Sequence, residues 1–123
     1  MPRVTHFEIP ANDPDKVIEF YKSVFGWEVN KWEGPVDYWL ITTGEPGTPG
    51  IDGAVMKTSE GFSTTVNTID VKDIEAVVGK VEASGGEVVG EKQTIPGIGY
   101  QIYVKDVEGT LFGLHQEDPS AGQ

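Results

Sequence analysis

The sequence contains no cysteine among its 123 residues. Disulfide bonds, thiolate metal sites and a cysteine nucleophile are therefore excluded. Because disulfides persist mainly in oxidising compartments, their absence is consistent with a reducing one, and we expect a cytoplasmic protein.

Basic residues are also scarce. Lys and Arg total 9 against 20 Asp and Glu, which gives a formal net charge of -11. A field of this sign repels phosphate backbones, so we expect no nucleic-acid partner. The same field favours a cationic ligand; the alternative is an acidic surface that only keeps the protein soluble.

Long apolar segments are missing as well. No apolar run approaches the roughly 18–20 residues that a membrane-spanning helix needs, and no signal peptide is evident, so we expect no membrane association. The apolar content of 37% and the charged content of 24% are ordinary for a globular protein of one domain.

The order of predicted elements repeats along the chain. Residues 4–9 alternate as a half-buried strand does, and Asn12 or Asp13 can cap a helix that ends at Gly26 before three further strands. Residues 64–71 begin a second strand, helix and strand series, in which Asp73 caps the helix. Single helices between runs of strands predict an α+β fold.

We expect one domain over residues 3–117, built from modules at residues 3–58 and 62–117. Residues 87–89 predict only a short strand in the second module. Residues 118–123 are polar and small, which is typical of a frayed tail.

Several segments carry a family resemblance, most clearly His6–Pro10, Phe20–Trp27 and Lys105–Leu114. In them the chain is similar to the vicinal-oxygen-chelate superfamily, which includes glyoxalase I, bleomycin-resistance proteins and extradiol dioxygenases. Pro49–Gly53 and Ile95–Tyr100 are similar to a glyoxalase-like branch of that superfamily, a likeness that names no reaction. The resemblance implies two βαβββ modules whose mixed sheet curves into a cup with the helices outside. It also implies a homodimer.

Active members of that superfamily hold a divalent metal ion at four positions, where it acts as a Lewis acid. Carried over to this chain, the positions fall on His6, on Gly53 or its neighbour Ala54, on Val66 and on Gly113. Only His6 offers a donor atom, and Asp52 points to the opposite strand face from Gly53. We therefore expect no metal cofactor and no glyoxalase I activity.

The remaining candidates for chemistry are His6, Glu8 and His115. His6 is either a general base and ligand-contacting residue or a hydrogen-bonded core histidine. Glu8 shares its strand face and either assists His6 or lies at the edge in solvent. His115 lies two residues after Gly113, so both share a face, either in a ligand cavity or at the sheet rim.

Aromatic residues are numerous, and we expect Trp39 and Tyr100 to contact a ligand together with His6 and His115. The competing interpretation places these rings in a dry core. Gly53 and Gly113 either make room for a ligand or let the strands bend.

These observations predict a protein that binds a small hydrophobic or cationic molecule without the superfamily's metal. The alternative is a lyase or isomerase in which His6, alone or assisted by Glu8 or His115, moves a proton. The sequence leaves open whether any reaction is catalysed.

Overall fold

The computed structural model of the protein describes residues 2–123 and contains two compact units. The first module comprises residues 6–66. The second module comprises residues 67–123 together with the N-terminal residues up to Thr5. Each module has four strands, one helix and a core of its own, and each is described separately below.

The elements of the first module are β1 (Arg3–Ala11, which belongs to this module from His6 onward), α1 (Pro14–Phe25), β2 (Glu28–Lys31), β3 (Tyr38–Thr42) and β4 (Asp52–Lys57). Its strands lie in the order β2-β3-β4-β1. β1 and β4 are parallel, whereas the β2–β3 and β3–β4 pairs are antiparallel.

The elements of the second module are β5 (Val66–Asp70), α2 (Ile74–Ala83), β6 (Glu87–Ile95), β7 (Gly99–Lys105) and β8 (Leu111–Glu117). Its strands lie in the order β5-β8-β7-β6, again with one parallel pair, β5–β8, and two antiparallel pairs. The predicted α+β class and the repeated βαβββ order are therefore confirmed.

Both helices begin at aspartates that the sequence marks as caps. The Asp13 carboxylate accepts a hydrogen bond from the Lys16 amide at 3.2 Å, and the Asp73 carboxylate accepts one from the Ala76 amide at 3.1 Å. Gly26 ends α1 with a positive φ of 71°, a conformation that glycine adopts at little cost.

Each helix covers one face of its own sheet. In the first module the core contains Ala11, Ile41 and Val55, against which Val17 and Ile18 of α1 pack. In the second module the buried core side chains are those of Val71, Ile74, Ile102, Val104 and Leu114. The opposite face of each sheet, which we call its open face, carries the alternate residues of the same strands.

The C-terminal tail is packed, so the prediction that residues 118–123 are frayed is wrong. Ala121 is fully buried, and its carbonyl oxygen accepts a hydrogen bond from the Gly97 amide at 2.9 Å. Hydrogen bonds from the Ser120 hydroxyl and amide lower the pKa of the Asp118 carboxyl. The composition of the tail did not reveal this turn because its partners lie about 20 residues earlier in the chain.

β6 is longer than its sequence predicts. The strand runs over nine residues, but its pairing with β7 shifts register between Val89 and Gln93. Gly90 has a φ of 77° at this irregularity. The predicted strand ended at Val89 because the alternation is interrupted there, whereas the ladder resumes beyond the bulge.

Candidate functional site

His6 and Glu8 lie side by side on the open face of the first module. Phe7, between them, points to the other face and packs on the core beneath α1. His6 is partly buried and Glu8 is only 2% exposed. Glu8 is therefore not the solvent-exposed edge carboxylate that one interpretation of the sequence allowed.

Tyr38 of β3 joins these two residues, although no sequence pattern distinguishes it from the other aromatic residues. Its hydroxyl donates a hydrogen bond to Glu8 Oε2 at 2.6 Å and lies 2.7 Å from His6 Nε2. A phenol has a single proton. When that proton is donated to Glu8, His6 Nε2 donates its own proton to the Tyr38 oxygen, and the lone pair of a neutral His6 is then on Nδ1.

Apolar side chains border the trio of His6, Tyr38 and Glu8 on the side of Glu8 and Tyr38, whereas Asp52 is the strand partner of His6. The strand register places Ala54 beside Glu8, Met56 beside Tyr38 and Leu40 beside Ala54, all on the same open face. The Trp32 ring meets the Tyr38 ring edge-on, with centroids 6.0 Å apart. Apolar walls around a few fixed polar groups are typical of small-molecule sites.

Trp39 and Tyr100, which the sequence predicts to contact a ligand, lie on the opposite faces from the predicted histidines. Trp39 follows Tyr38 in β3 and packs on the core beneath α1, with Lys31 Nζ 5.6 Å from its ring centre. Tyr100 packs on the core of the second module, with Lys92 Nζ 5.0 Å from its ring centre. The strict alternation of strand residues explains both positions.

His115 lies on the open face of the second module, as does Gly113, because Leu114 between them is buried in the core. Its Nδ1 atom is 3.9 Å from a carboxylate oxygen of Asp70. Together with Asp70 it borders an open depression of about 460 Å³ that is also lined by Thr5, Gly97, Ile98, Glu117 and Pro119. β8 is paired with β5 on one side and with β7 on the other, so His115 lies on an interior strand, near the strand end where these turns lie.

The four metal positions that the resemblance implies do not provide a family-type ligand set. Gly53 faces the core, where a Cβ atom would lie 2.6 Å from a carbon of the Phe7 ring. Val66 and Gly113 are buried and have no donor side chain. Within residues 2–123, no three His, Asp or Glu side chains are grouped closely enough to hold a metal ion.

The structure changes the place of Asp52. The Asp52 side chain points away from Gly53, as expected. It therefore lies on the same face of the strands as His6, because His6 and Asp52 are partners in the β1–β4 register. Its carboxylate accepts hydrogen bonds from the Thr43 amide at 2.9 Å and hydroxyl at 3.2 Å. These bonds connect Asp52 to the residue that follows β3, so its carboxylate stabilises the ends of the loop between β3 and β4.

A buried hydroxyl on the open face of the second module escaped the sequence reasoning. Thr68 is 2% exposed, and within the described part of the chain its Oγ1 atom has no hydrogen-bond partner. It lies beside Gly113, whose added Cβ would come 3.1 Å from that oxygen. A threonine in a β-strand carries no sequence signal of this kind.

Neither α1 nor α2, the helices of the described residues, is long and apolar enough to span a bilayer.

Comparison with known proteins places these features in context. The model of the family described as "Glyoxalase/Bleomycin resistance protein/Dioxygenase superfamily" matches residues 3–114. The chain is 29% identical over 121 residues to "Putative glyoxylase CFP32" of Mycobacterium bovis and to its counterpart in Mycobacterium tuberculosis. The match covers 94% of this chain and 46% of each relative, so the chain spans about half the length of these curated relatives.

Solved structures share the fold at low sequence identity. Methylmalonyl-CoA epimerase from Mycobacterium tuberculosis superposes with a TM-score of 0.69 at 18% identity, over 94% of this chain and 88% of the epimerase. A hypothetical protein from Bacillus halodurans C-125 gives 0.72 at 13% identity, over 99% of both chains. A single-residue variant of the Streptomyces coelicolor methylmalonyl-CoA epimerase, in complex with 2-nitronate-propionyl-CoA, gives 0.71 at 16% identity over 98% of both chains.

Proposed function

Because the chain belongs to the Glyoxalase/Bleomycin resistance protein/Dioxygenase superfamily, we propose that it binds a small organic molecule on the open face of the first module, without the metal ion of metal-dependent members. The observation that carries the proposal is the His6–Tyr38–Glu8 trio, fixed by two short hydrogen bonds within an apolar surface. Rigid polar groups on an apolar wall orient a ligand at a low entropic cost.

The proposed ligand is apolar or cationic, and an aromatic cation combines both properties. The Glu8 side chain is acidic, and the formal charge of the chain is -11, so the surrounding field attracts positive charge. The Trp32 and Tyr38 rings offer π faces and edges to a flat or cationic group. The missing metal donors at Gly53, Val66 and Gly113 support a metal-independent mode of binding.

A matched pair of tyrosine variants tests this proposal. The probes are 1-naphthylmethylammonium and its neutral analogue 1-naphthylmethanol, and the readouts are the melting temperature and tryptophan fluorescence. We expect Tyr38→Phe to weaken binding about three- to tenfold, since a net hydrogen bond contributes about 0.5–1.5 kcal/mol.

Tyr21→Phe is the control, because it removes the same hydroxyl from the α1 side of the same module. It should leave probe binding unchanged. The proposal fails if neither probe raises the melting temperature, or if both tyrosine variants reduce binding equally.

A second candidate function is proton transfer at a carbon atom next to a carbonyl group. The tautomer of His6 favours it: when Nε2 donates to Tyr38, a neutral ring has a basic Nδ1. In such a step Nδ1 accepts the carbon-bound proton, and the electron pair of the broken C–H bond passes to the carbonyl oxygen as an enolate. The structural neighbours that are named epimerases share only the fold with this chain, so they supply a test compound and no substrate assignment.

Deuterium exchange distinguishes this candidate from simple binding. With methylmalonyl-CoA as the first probe in D₂O, NMR should detect α-proton exchange that His6→Gln abolishes and that a chelator leaves unchanged. Absence of exchange across a panel of acyl thioesters and 1,3-dicarbonyl compounds removes this candidate. We also expect no turnover of the methylglyoxal–glutathione adduct, and activity that a chelator abolishes would contradict the proposed metal independence.

A further inference from the structure

Trp32 lies directly across the β2–β3 loop from Tyr38. Its backbone amide donates a hydrogen bond to the Tyr38 carbonyl oxygen at 2.8 Å, which continues the antiparallel pairing of β2 and β3 by one residue. Residues opposite each other in an antiparallel pair point to the same face of the sheet. The Trp32 side chain is therefore on the open face of the first module, beside Tyr38 and its two hydrogen-bond partners.

The rings of Trp32 and Tyr38 form a corner. Their planes are inclined by 73° and their centroids are 6.0 Å apart. We call these two residues the aromatic corner. The Trp32 side chain is only partly buried, and Leu40, the next residue of β3 on the same face, is 39% exposed. The corner therefore adjoins apolar surface that a ligand of the trio can cover.

Gly34 determines where the Trp32 ring lies. A Cβ atom on Gly34 would overlap three carbon atoms of that ring, Cη2, Cζ3 and Cζ2, so the ring occupies the space that a side chain would take. Gly34 does not have a positive φ, so its backbone conformation is open to alanine and the ring contact is what requires glycine. Pro35 stiffens this part of the loop, because its own φ is fixed and the residue before it is restricted.

A ligand that bonds to the trio lies beside this corner. Two aromatic rings attract each other when they are parallel and offset or when they meet edge to face, and the attraction exceeds what the buried area alone supplies. A flat ring that is parallel to Trp32 is nearly edge-on to Tyr38, so one planar ligand satisfies both arrangements. A saturated ring has no π system and is thicker, so it gains only the burial of area.

We propose that Trp32 makes the site selective for planar aromatic ligands over saturated ones, and that Gly34 holds the Trp32 ring in the position that this selectivity requires. The inference rests on the proposed function, because it concerns the ligand of the same site. The trio and its apolar border would also accept a saturated cation of equal size, so the selectivity is a further property. Trp32 contacts the ligand, whereas Gly34 is a positioning residue that acts through Trp32.

The experiment compares two probes that have equal charge and an equal number of carbon atoms, 1-naphthylmethylammonium and its fully saturated decahydronaphthyl analogue. Isothermal titration calorimetry gives both dissociation constants. The saturated probe has the larger apolar surface, so burial of area alone would make it bind at least as tightly. We expect the unsubstituted protein to prefer the naphthyl probe by about three- to tenfold.

Substitutions at the corner should change this preference. Trp32→Leu should bring the ratio of the two dissociation constants to about one, whereas Trp32→Phe should keep part of the preference because it retains an aromatic ring. Gly34→Ala should lower the ratio as well, although it alters no side chain of the trio or the aromatic corner. Gly44→Ala is the matched control, since Gly44 lies in the loop after β3 and the nearest atom to its added Cβ is Thr48 Oγ1 at 3.3 Å. It should leave the ratio unchanged.

Tryptophan fluorescence tests the position of the bound ring independently. The chain has three tryptophans, of which Trp27 and Trp39 pack on the core beneath α1. The change in emission on binding of the naphthyl probe should disappear in Trp32→Phe and persist in Trp27→Phe. Circular dichroism verifies that each variant is folded, and if Gly34→Ala does not fold, the comparison of Trp32→Leu with Trp32→Phe decides the outcome.

Equal affinities for the two probes, or tighter binding of the saturated one, overturn the inference. So does a preference that Trp32→Leu leaves unchanged, and a ratio that Gly34→Ala and Gly44→Ala change equally overturns the role of Gly34. In each of these cases the proposed function stands if both probes bind and Tyr38→Phe weakens them. If neither probe binds the unsubstituted protein, the proposed function fails and the inference fails with it.

Discussion

Tyr38 shows how much the site depends on one side chain. His6 and Glu8 lie two residues apart on β1, and the Tyr38 hydroxyl, 30 or more positions away in the sequence, bonds to both at 2.6–2.7 Å. It thereby holds the His6 ring beside it and gives the buried Glu8 carboxyl a donor, which a buried acid requires.

Thr68 offers a residue-scale prediction about stability. Its buried hydroxyl lacks a partner in the described part of the chain, and an unsatisfied buried polar group costs about 1–3 kcal/mol. Valine has nearly the same shape without the hydroxyl. We therefore expect Thr68→Val to raise the free energy of unfolding by about 1 kcal/mol in urea titrations.

Thr94→Val provides the comparison, since Thr94 is exposed in β6 of the same module and tests the strand preference of valine alone. If Thr68→Val stabilises no more than Thr94→Val, the Thr68 hydroxyl is satisfied in solution and the prediction is wrong.

At the scale of elements, the fit between β1 and β4 depends on a missing side chain. Gly53 lies beside Phe7 in the parallel register. A Cβ on Gly53 would lie 2.5 Å from the Phe7 carbonyl oxygen and 2.6 Å from its ring. The glycine therefore permits two strands and a core ring to approach closely. The space beside Gly53 is filled by Phe7 and does not accommodate a ligand.

We expect Gly53→Ala to lower the free energy of unfolding by about 1–3 kcal/mol, because the backbone oxygen cannot move aside as a flexible side chain can. Gly79→Ala in α2 is the matched substitution, since nothing lies within 4 Å of its added Cβ. It should stabilise the protein by about 0.5–1 kcal/mol through helix propensity. Chemical unfolding of both variants checks the pair, and a neutral or stabilising Gly53→Ala would contradict the close contact.

At the scale of the whole molecule, the C-terminal tail packs against the turn between β6 and β7. The Asp118 amide donates to the Ile98 carbonyl and the Gly97 amide donates to that of Ala121, each at 2.9 Å. Gly122 lies against Pro96. The tail therefore covers the turn between β6 and β7.

Removal of residues 119–123 should lower the free energy of unfolding by about 1–2 kcal/mol, through the lost Ala121 hydrogen bond and the lost burial of its methyl group. Removal of Gln123 alone is the control and should have little effect. An unchanged midpoint for the longer truncation would show that the tail contributes nothing to stability.

The same truncation has a pH signature. The bonds from Ser120 lower the pKa of Asp118 below its usual value of 3.8. A lowered pKa in the folded state adds stability above the unfolded pKa, and that stability disappears as the pH falls through the folded value. The difference between the full and truncated proteins should therefore be larger at pH 7 than well below pH 3.8. NMR titration should show the pKa of Asp118 rising on truncation.

The sequence by itself determined the architecture. The alternation of residues 4–9, the capping aspartates Asp13 and Asp73, and the repeated order of elements act locally, so they define the βαβββ modules without knowledge of any partner strand. The sequence also shows directly that Gly53, Val66 and Gly113 have no side-chain atom that could bind a metal ion.

Only the tertiary structure decided which residues meet. Strand parity allows Tyr38 or Trp39 on the open face but not both, and the register of β3 against β4 selects Tyr38. The packing of Ala121 and the burial of Glu8 and Thr68 likewise depend on segments far apart in sequence. Such pairings are set by long-range register and by the shape of the core, and a local pattern contains no information about either.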